Sequence, residues 1–128
     1  MERFSMTKQK FINQWLCHFA SDLPKKQLDR YVKGQYIWHV FSYHLIESAF
    51  LEGDAARKAF DRADKRNCIC CDMFGNGGVI EGLPLGCYSA KSIDEQFTDF
   101  YAVSDDYSWT YIKTHEGDLC GPYFLKVE

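Results

Sequence analysis

No stretch of this chain approaches the roughly 18 consecutive apolar residues that a membrane-crossing helix requires, so no membrane partner is expected. Nor does an apolar run follow Met1-Glu2-Arg3-Phe4-Ser5, as it would in a secretory leader, which makes a cytoplasmic location the expectation. A basic stripe is also missing. The cations alternate with acids, as in Lys58-Ala-Phe-Asp61-Arg62-Ala-Asp64-Lys65-Arg66, and the formal net charge is −3. That balance lacks the electrostatic footprint of a phosphate backbone, so nucleic acid is not an expected partner. No internal repeat, low-complexity tract or linker divides the sequence. Its 128 residues therefore read as one domain, 1–128, long enough to bury a core without staples.

Aromatic residues, by contrast, are plentiful at 16% of the chain, which favours a sheet-containing fold or an adhesive surface. They concentrate in the last quarter, Asp99 to Leu125. There, three aromatic and β-branched runs are separated by Ser104-Asp105-Asp106 and by Glu116-Gly117-Asp118. This is the pattern of a β-meander with polar turns.

Upstream, Phe11, Ile12, Trp15, Leu16 and Phe19 form an apolar stripe at helical spacing and predict a helix over Thr7–Ala20. Pro24 opens a second expected helix, Lys25–Lys33, which Gly34 stops. Residues 35–51 fit a helical face as well as a strand. The density of aromatic and β-branched residues from Tyr36 to Tyr43 favours a strand. Asp54 is the expected N-cap of a helix over Ala55–Lys65, with Ala56, Ala59, Phe60 and Ala63 on one face. Asn67–Phe74 reads as a strand, Gly75-Asn76-Gly77-Gly78 as a turn, and Val79–Tyr88 as a loop with a short edge strand. Ser92 and Glu95 have capping-box spacing ahead of a two-turn helix that buries Ile93 and Phe97. The fold class expected is α+β: a single domain, mainly an antiparallel sheet with a C-terminal β-meander, packed against about four short helices.

A resemblance follows from several of these segments taken together. They are Trp38-His39-Val40-Phe41-Ser42-Tyr43, Gly53-Asp54-Ala55-Ala56-Arg57-Lys58-Ala59-Phe60, Asp99-Phe100-Tyr101-Ala102-Val103, Trp109-Thr110-Tyr111 with Thr114-His115-Glu116, and Gly121-Pro122-Tyr123-Phe124. From Gln35 onward the chain resembles domain-of-unknown-function family 4275, a group of small Bacillus-type bacterial proteins. The resemblance implies a bacterial, cytosolic, single-domain protein and no particular chemistry. Cys68-Ile69-Cys70-Cys71 falls outside the family pattern.

Four constellations bear on function. Cys68 and Cys71 have C-x-x-C spacing and are the candidate metal ligands, but no second pair or matched histidine pair accompanies them. Strand alternation would send Cys68 and Cys70 to one face and Cys71 to the other. All six cysteines are expected as reduced thiols that pack as small hydrophobes, and no cofactor is expected. Among the histidines, His18 lies on the first expected helix, His39 in the aromatic strand and His44 just past it. His115, beside Glu116 at a strand end, is the candidate catalytic base or ligand. The Gly75–Gly78 turn is followed by Val79-Ile80-Glu81, not by Lys-Ser/Thr and a helix, so it does not read as a phosphate loop. No spacing among the acids singles out a catalytic pair. The expectation is a non-catalytic protein-interaction module with Trp109, Tyr111 and Lys113 as interface candidates and another protein as partner. A toxin-neutralising immunity protein has this profile. The alternative is a small metal-dependent or general-base enzyme centred on His115.

Overall fold

The computed structural model describes residues 8–20, 24, 26, 50–65, 68–72, 78–81, 88–97, 99–104, 106–114 and 121–126. In chain order these form α1 (Lys8–Phe19), β1 (Leu51–Glu52), α2 (Asp54–Arg62), β2 (Cys68–Asp72), β3 (Gly78–Glu81), α3 (Ala90–Gln96), β4 (Phe100–Ser104), β5 (Trp109–Lys113) and β6 (Tyr123–Lys126). The strands make one six-stranded antiparallel sheet in the order β1-β6-β5-β4-β2-β3. This is an α+β domain, and its last three strands pair consecutively as the aromatic runs predict. All of the expected second helix but Lys26, and the whole of the expected strand over Tyr36–Tyr43, lie outside the described residues. Among those described, no helix is long and apolar enough to cross a membrane.

The aromatic runs are nearly continuous because the central sheet is covered on both faces. All five residues of β4 and the first four of β5 are buried. Strand alternation then assigns each side chain to one of two cores. On the first face, Phe11, Trp15, Leu16 and Phe19 of α1 pack on Cys71, Tyr101, Val103, Ile112, Tyr123 and Leu125. The Trp15 indole would strand its N–H there, but it donates to Thr110 Oγ1 at 2.9 Å. That hydroxyl in turn donates to the Ala102 carbonyl, also at 2.9 Å. On the second face, Ala56 and Phe60 of α2 and Ala90 and Ile93 of α3 pack on Cys68, Cys70, Phe100, Ala102, Trp109, Tyr111 and Phe124.

Helix ends depart from the sequence expectation for identifiable reasons. Asp54 is the first residue of α2 and not its cap; the cap is Gly53, at φ +68°, without a side-chain hydrogen bond. Glycine takes that backbone conformation without the Cβ penalty, and its N–H donates to the Pro122 carbonyl at 2.9 Å, tying the helix entrance to the start of β6. At the other end α2 stops at Arg62, three residues before the expected Lys65. Ala63 turns extended, and Lys65 Nζ donates back to the Phe60 carbonyl at 2.7 Å and the Asp61 carbonyl at 3.1 Å. The capping box expected at Ser92 and Glu95 does not form. Ser89 is the cap of α3 and accepts from Ser92 N–H at 3.2 Å, while Asp61 on α2 accepts from Ala90 N–H at 2.8 Å. A carboxylate from the neighbouring helix thus helps to set where α3 begins. Gly78, expected in the turn, is already paired with Asp72, and β3 is the edge strand anticipated after it.

Phe60 is fully buried, stacked on Tyr111 at 4.3 Å and edge-on to Trp109 at 6.1 Å between ring centroids. Phe60→Ala is expected to cost about 3–5 kcal/mol, a large part of the stability of a domain this size. Chemical denaturation of the two proteins checks it, and an unchanged midpoint would contradict the packing of α2.

Candidate functional site

Strand β5 carries all three interface candidates, and the positions of the two aromatics correct the expectation of an exposed aromatic face. Trp109 is 5% exposed and Tyr111 fully buried, because both point into the core beneath α2. Tyr111 serves as core. Its hydroxyl has no hydrogen-bond partner among the described residues, and burial, reinforced by the nearby Asp94 charge, pushes the phenol well above its ordinary pKa. Lys113, at the far end of the strand, is half-buried, and its ammonium donates to the Thr114 carbonyl at 3.3 Å.

The cysteine pair is divided. Cys68 packs in the core on the α2 side and Cys71 in the core on the α1 side, so the two thiols do not converge on one ion. An i, i+3 pair in extended backbone must point to opposite faces, whereas the same spacing in a turn converges. Cys70, between them, is fully buried, which pushes its thiol far above the ordinary value and suppresses the reactive thiolate. Cys17, Cys68, Cys70 and Cys71 form no disulfide. Among the described residues no group of three or more His, Cys, Asp and Glu side chains converges as a metal site would require. His115 and Glu116, the candidate base and its neighbour, lie outside the described residues, as do His39 and His44.

The charged side chains between α2 and α3 are occupied with holding the two helices. Arg57 donates from Nε to Asp94 at 2.9 Å and from Nη1 to Asp54 at 2.8 Å. Only the Asp94 arm is substantially shielded from solvent; Asp54 is 86% exposed and adds little.

What the structure does build is a groove of about 480 Å³ where α2 ends over the start of β5 and the end of β6. Trp109 and Phe124, stacked with ring centroids 5.6 Å apart, give it an apolar floor. Arg62 and Ala63 form one side, the β4–β5 turn another, and Lys126, the cross-strand neighbour of Trp109, closes the end. The turn wall is rigidly organised. Ser104 Oγ donates to Asp106 Oδ1 at 2.9 Å and accepts from Ser108 N–H at 2.8 Å and Trp109 N–H at 3.2 Å. Tyr107 sits at φ +58°, an unusual conformation for a side chain of its bulk, and its ring stacks on His18 of α1 with centroids 4.0 Å apart. These contacts offset the backbone cost, of order 1–3 kcal/mol. Sequence reasoning selected Trp109 but missed Arg62 and Lys126. They come together only because α2 stops early and β6 pairs with β5; the pairing follows from the meander, but the early end of the helix has no local signal.

Residues 2–124 match the family described as Domain of unknown function (DUF4275), and the chain belongs to that family. The match reaches further toward the N-terminus than the segments from Gln35 onward that carried the resemblance. No curated protein and no solved structure matches the chain.

The groove's turn wall has a pH signature. Hydrogen bonds from the Ser108 and Ser104 hydroxyls and the Ser108 N–H hold the Asp106 carboxyl below its ordinary pKa. A depressed folded-state value stabilises the fold at pH values above the unfolded carboxylate range, and that contribution is lost as the pH falls through the folded value. Asp106→Asn is therefore expected to lower the thermal midpoint at neutral pH, with the gap to the parent protein closing in acid. Midpoints measured as a function of pH check this; a gap that is constant or widens in acid would contradict the hydrogen-bonded turn.

Proposed function

We propose that this family member is a cytoplasmic bacterial, non-catalytic protein-interaction module that contacts its partner at the groove between the end of α2 and the β4–β5 turn. The observation that carries the reading is the construction of the groove: a stacked aromatic floor at the bottom of a concave site whose wall is fixed by the Ser104 network. A preformed apolar floor with polar groups at its rim suits the anchor-in-pocket geometry of protein interfaces, where aromatic residues dominate the binding energy. The same wall argues against nucleophilic chemistry at this spot. The Ser104 oxygen already accepts from two backbone N–H groups, which occupies its lone pairs, and its hydroxyl donates to Asp106 to shape the turn. The bacterial and cytoplasmic parts rest on the family resemblance. A toxin-neutralising role is one form that such a module takes.

A random peptide display library panned on the folded protein tests the reading. Enriched peptides are expected to bind the parent protein and to lose binding when a bulky side chain fills the groove, as in Ala59→Trp or, where that change disturbs α2, Ala63→Trp beyond the helix end. Far-UV circular dichroism confirms folding in each variant. Enriched peptides that bind the blocked, folded variants unchanged, or a library from which nothing enriches, would contradict the groove as a protein-contact site.

A further inference from the structure

The groove carries formal charges of both signs, Arg62 and Lys126 against Asp64 and Asp106, but their availability differs. Asp106 Oδ1 accepts from the Ser104 hydroxyl and from Ser108 N–H at 3.1 Å, and Asp64 is not without a partner of its own. Of the other cations on or beside α2, Arg57 holds Asp54 and Asp94, Lys65 caps the helix while lying 4.7 Å from the centre of the Phe60 ring, and Lys58 does not line the groove. Arg62 and Lys126 are different. Both are exposed, both line the groove, and among the described residues neither makes an ion pair or a side-chain hydrogen bond. A guanidinium offers five N–H donors and an ammonium three, with no acceptor on either. The rim of the groove thus offers open donors at Arg62 and Lys126, while Asp64 is partnered and one of the two Asp106 carboxylate oxygens is engaged from within.

Resting on the protein-contact reading of the groove, we infer that its partner is an acidic peptide segment: its carboxylates meet Arg62 and Lys126, and an apolar side chain between them sits on the Trp109–Phe124 floor. Carboxylates complement open Arg and Lys donors with charge-assisted hydrogen bonds, the planar fork of Arg62 allowing a bidentate contact. An apolar neighbour uses the floor that a bare anion would leave uncovered. A basic segment would meet Asp64, which has a partner, and Asp106, one of whose oxygens is engaged, and would bring its charge against two cations unpaired among the described residues. The choice is notable in a chain whose own net charge is −3, since the overall charge would favour a basic partner and the groove's local chemistry reverses that preference.

Three fluorescent peptide pools of equal length and equal apolar content test this, one rich in Asp and Glu, one in Lys and Arg, one neutral, with binding read by fluorescence polarisation. The acidic pool is expected to bind about tenfold tighter than the basic one, and the double variant Arg62→Glu with Lys126→Glu to lose roughly that factor and gain affinity for the basic pool. Both substitutions are at exposed positions, and circular dichroism verifies the fold. Raising the salt should weaken the acidic pool selectively. Equal or better binding of the basic or neutral pool, blocked by Ala63→Trp, would overturn the acidic partner while leaving the groove a peptide site. Binding of no pool would overturn the protein-contact reading along with it. Displacement of the acidic pool by free glutamate or inorganic phosphate at matched anion concentration would show a small-anion site and overturn the peptide.

Discussion

The structure depends on one constraint: the central strands β4 and β5 are buried on both faces. Once each face must meet a hydrophobic layer, strand alternation divides neighbouring side chains between two cores that never mix. Trp109 and Tyr111 go beneath α2 while Thr110 and Ile112 go beneath α1. Each helix then has a defined role. α1 supplies Trp15, whose single polar atom is satisfied by Thr110, so a large aromatic is buried without an orphaned donor. α2 supplies Phe60, which meets both β5 aromatics. The cysteines obey the same rule, which is why a C-x-x-C pair is partitioned between the cores and does not gather around an ion.

The groove is a by-product of the same layering. α2 covers the sheet from Gly53, anchored by the Pro122 carbonyl, and stops at Arg62, where Lys65 closes its last carbonyls. The sheet continues a little past that end, so only narrow edges of the otherwise buried Trp109 and Phe124 line the groove beyond the helix and beside the β4–β5 turn. The turn is fastened from both faces of the sheet, by Ser104 on one side and by the Tyr107–His18 stack on the other. A concave site bounded by a helix end and a fixed turn is preorganised, so a partner meets little ordering cost on its side of the contact.

Much of this was legible in the sequence, to different depths. The helical stripe of α1, the inward face of α2 and the three-strand meander were visible because periodicity is local and strong in each. Capping was legible only in part. Both Ser89 and Ser92 can cap a helix, and the choice between them falls with Asp61, a residue 29 positions away that accepts from Ala90 N–H. The aromatic pair of β5 was readable as sharing one face, but whether that face met solvent depended on α2 lying over it. Alternation placed the cysteines correctly, since it needs nothing beyond the strand itself. The donors at the groove rim had no signal of their own: Arg62 and Lys126 are ordinary surface cations until β5–β6 pairing and the early end of α2 bring them to one place.

The two-faced burial of the sheet is testable by residue-resolved alkylation of the native protein, quenched and read by peptide mass spectrometry. Cys17 is exposed on α1, whereas Cys68, Cys70 and Cys71 sit in the two cores. The account predicts rapid labelling of Cys17 and protection of the other three until denaturant unfolds the domain, when all four react at similar rates. Labelling of Cys70 or Cys71 in native protein at the rate of Cys17 would contradict a sheet covered on both sides.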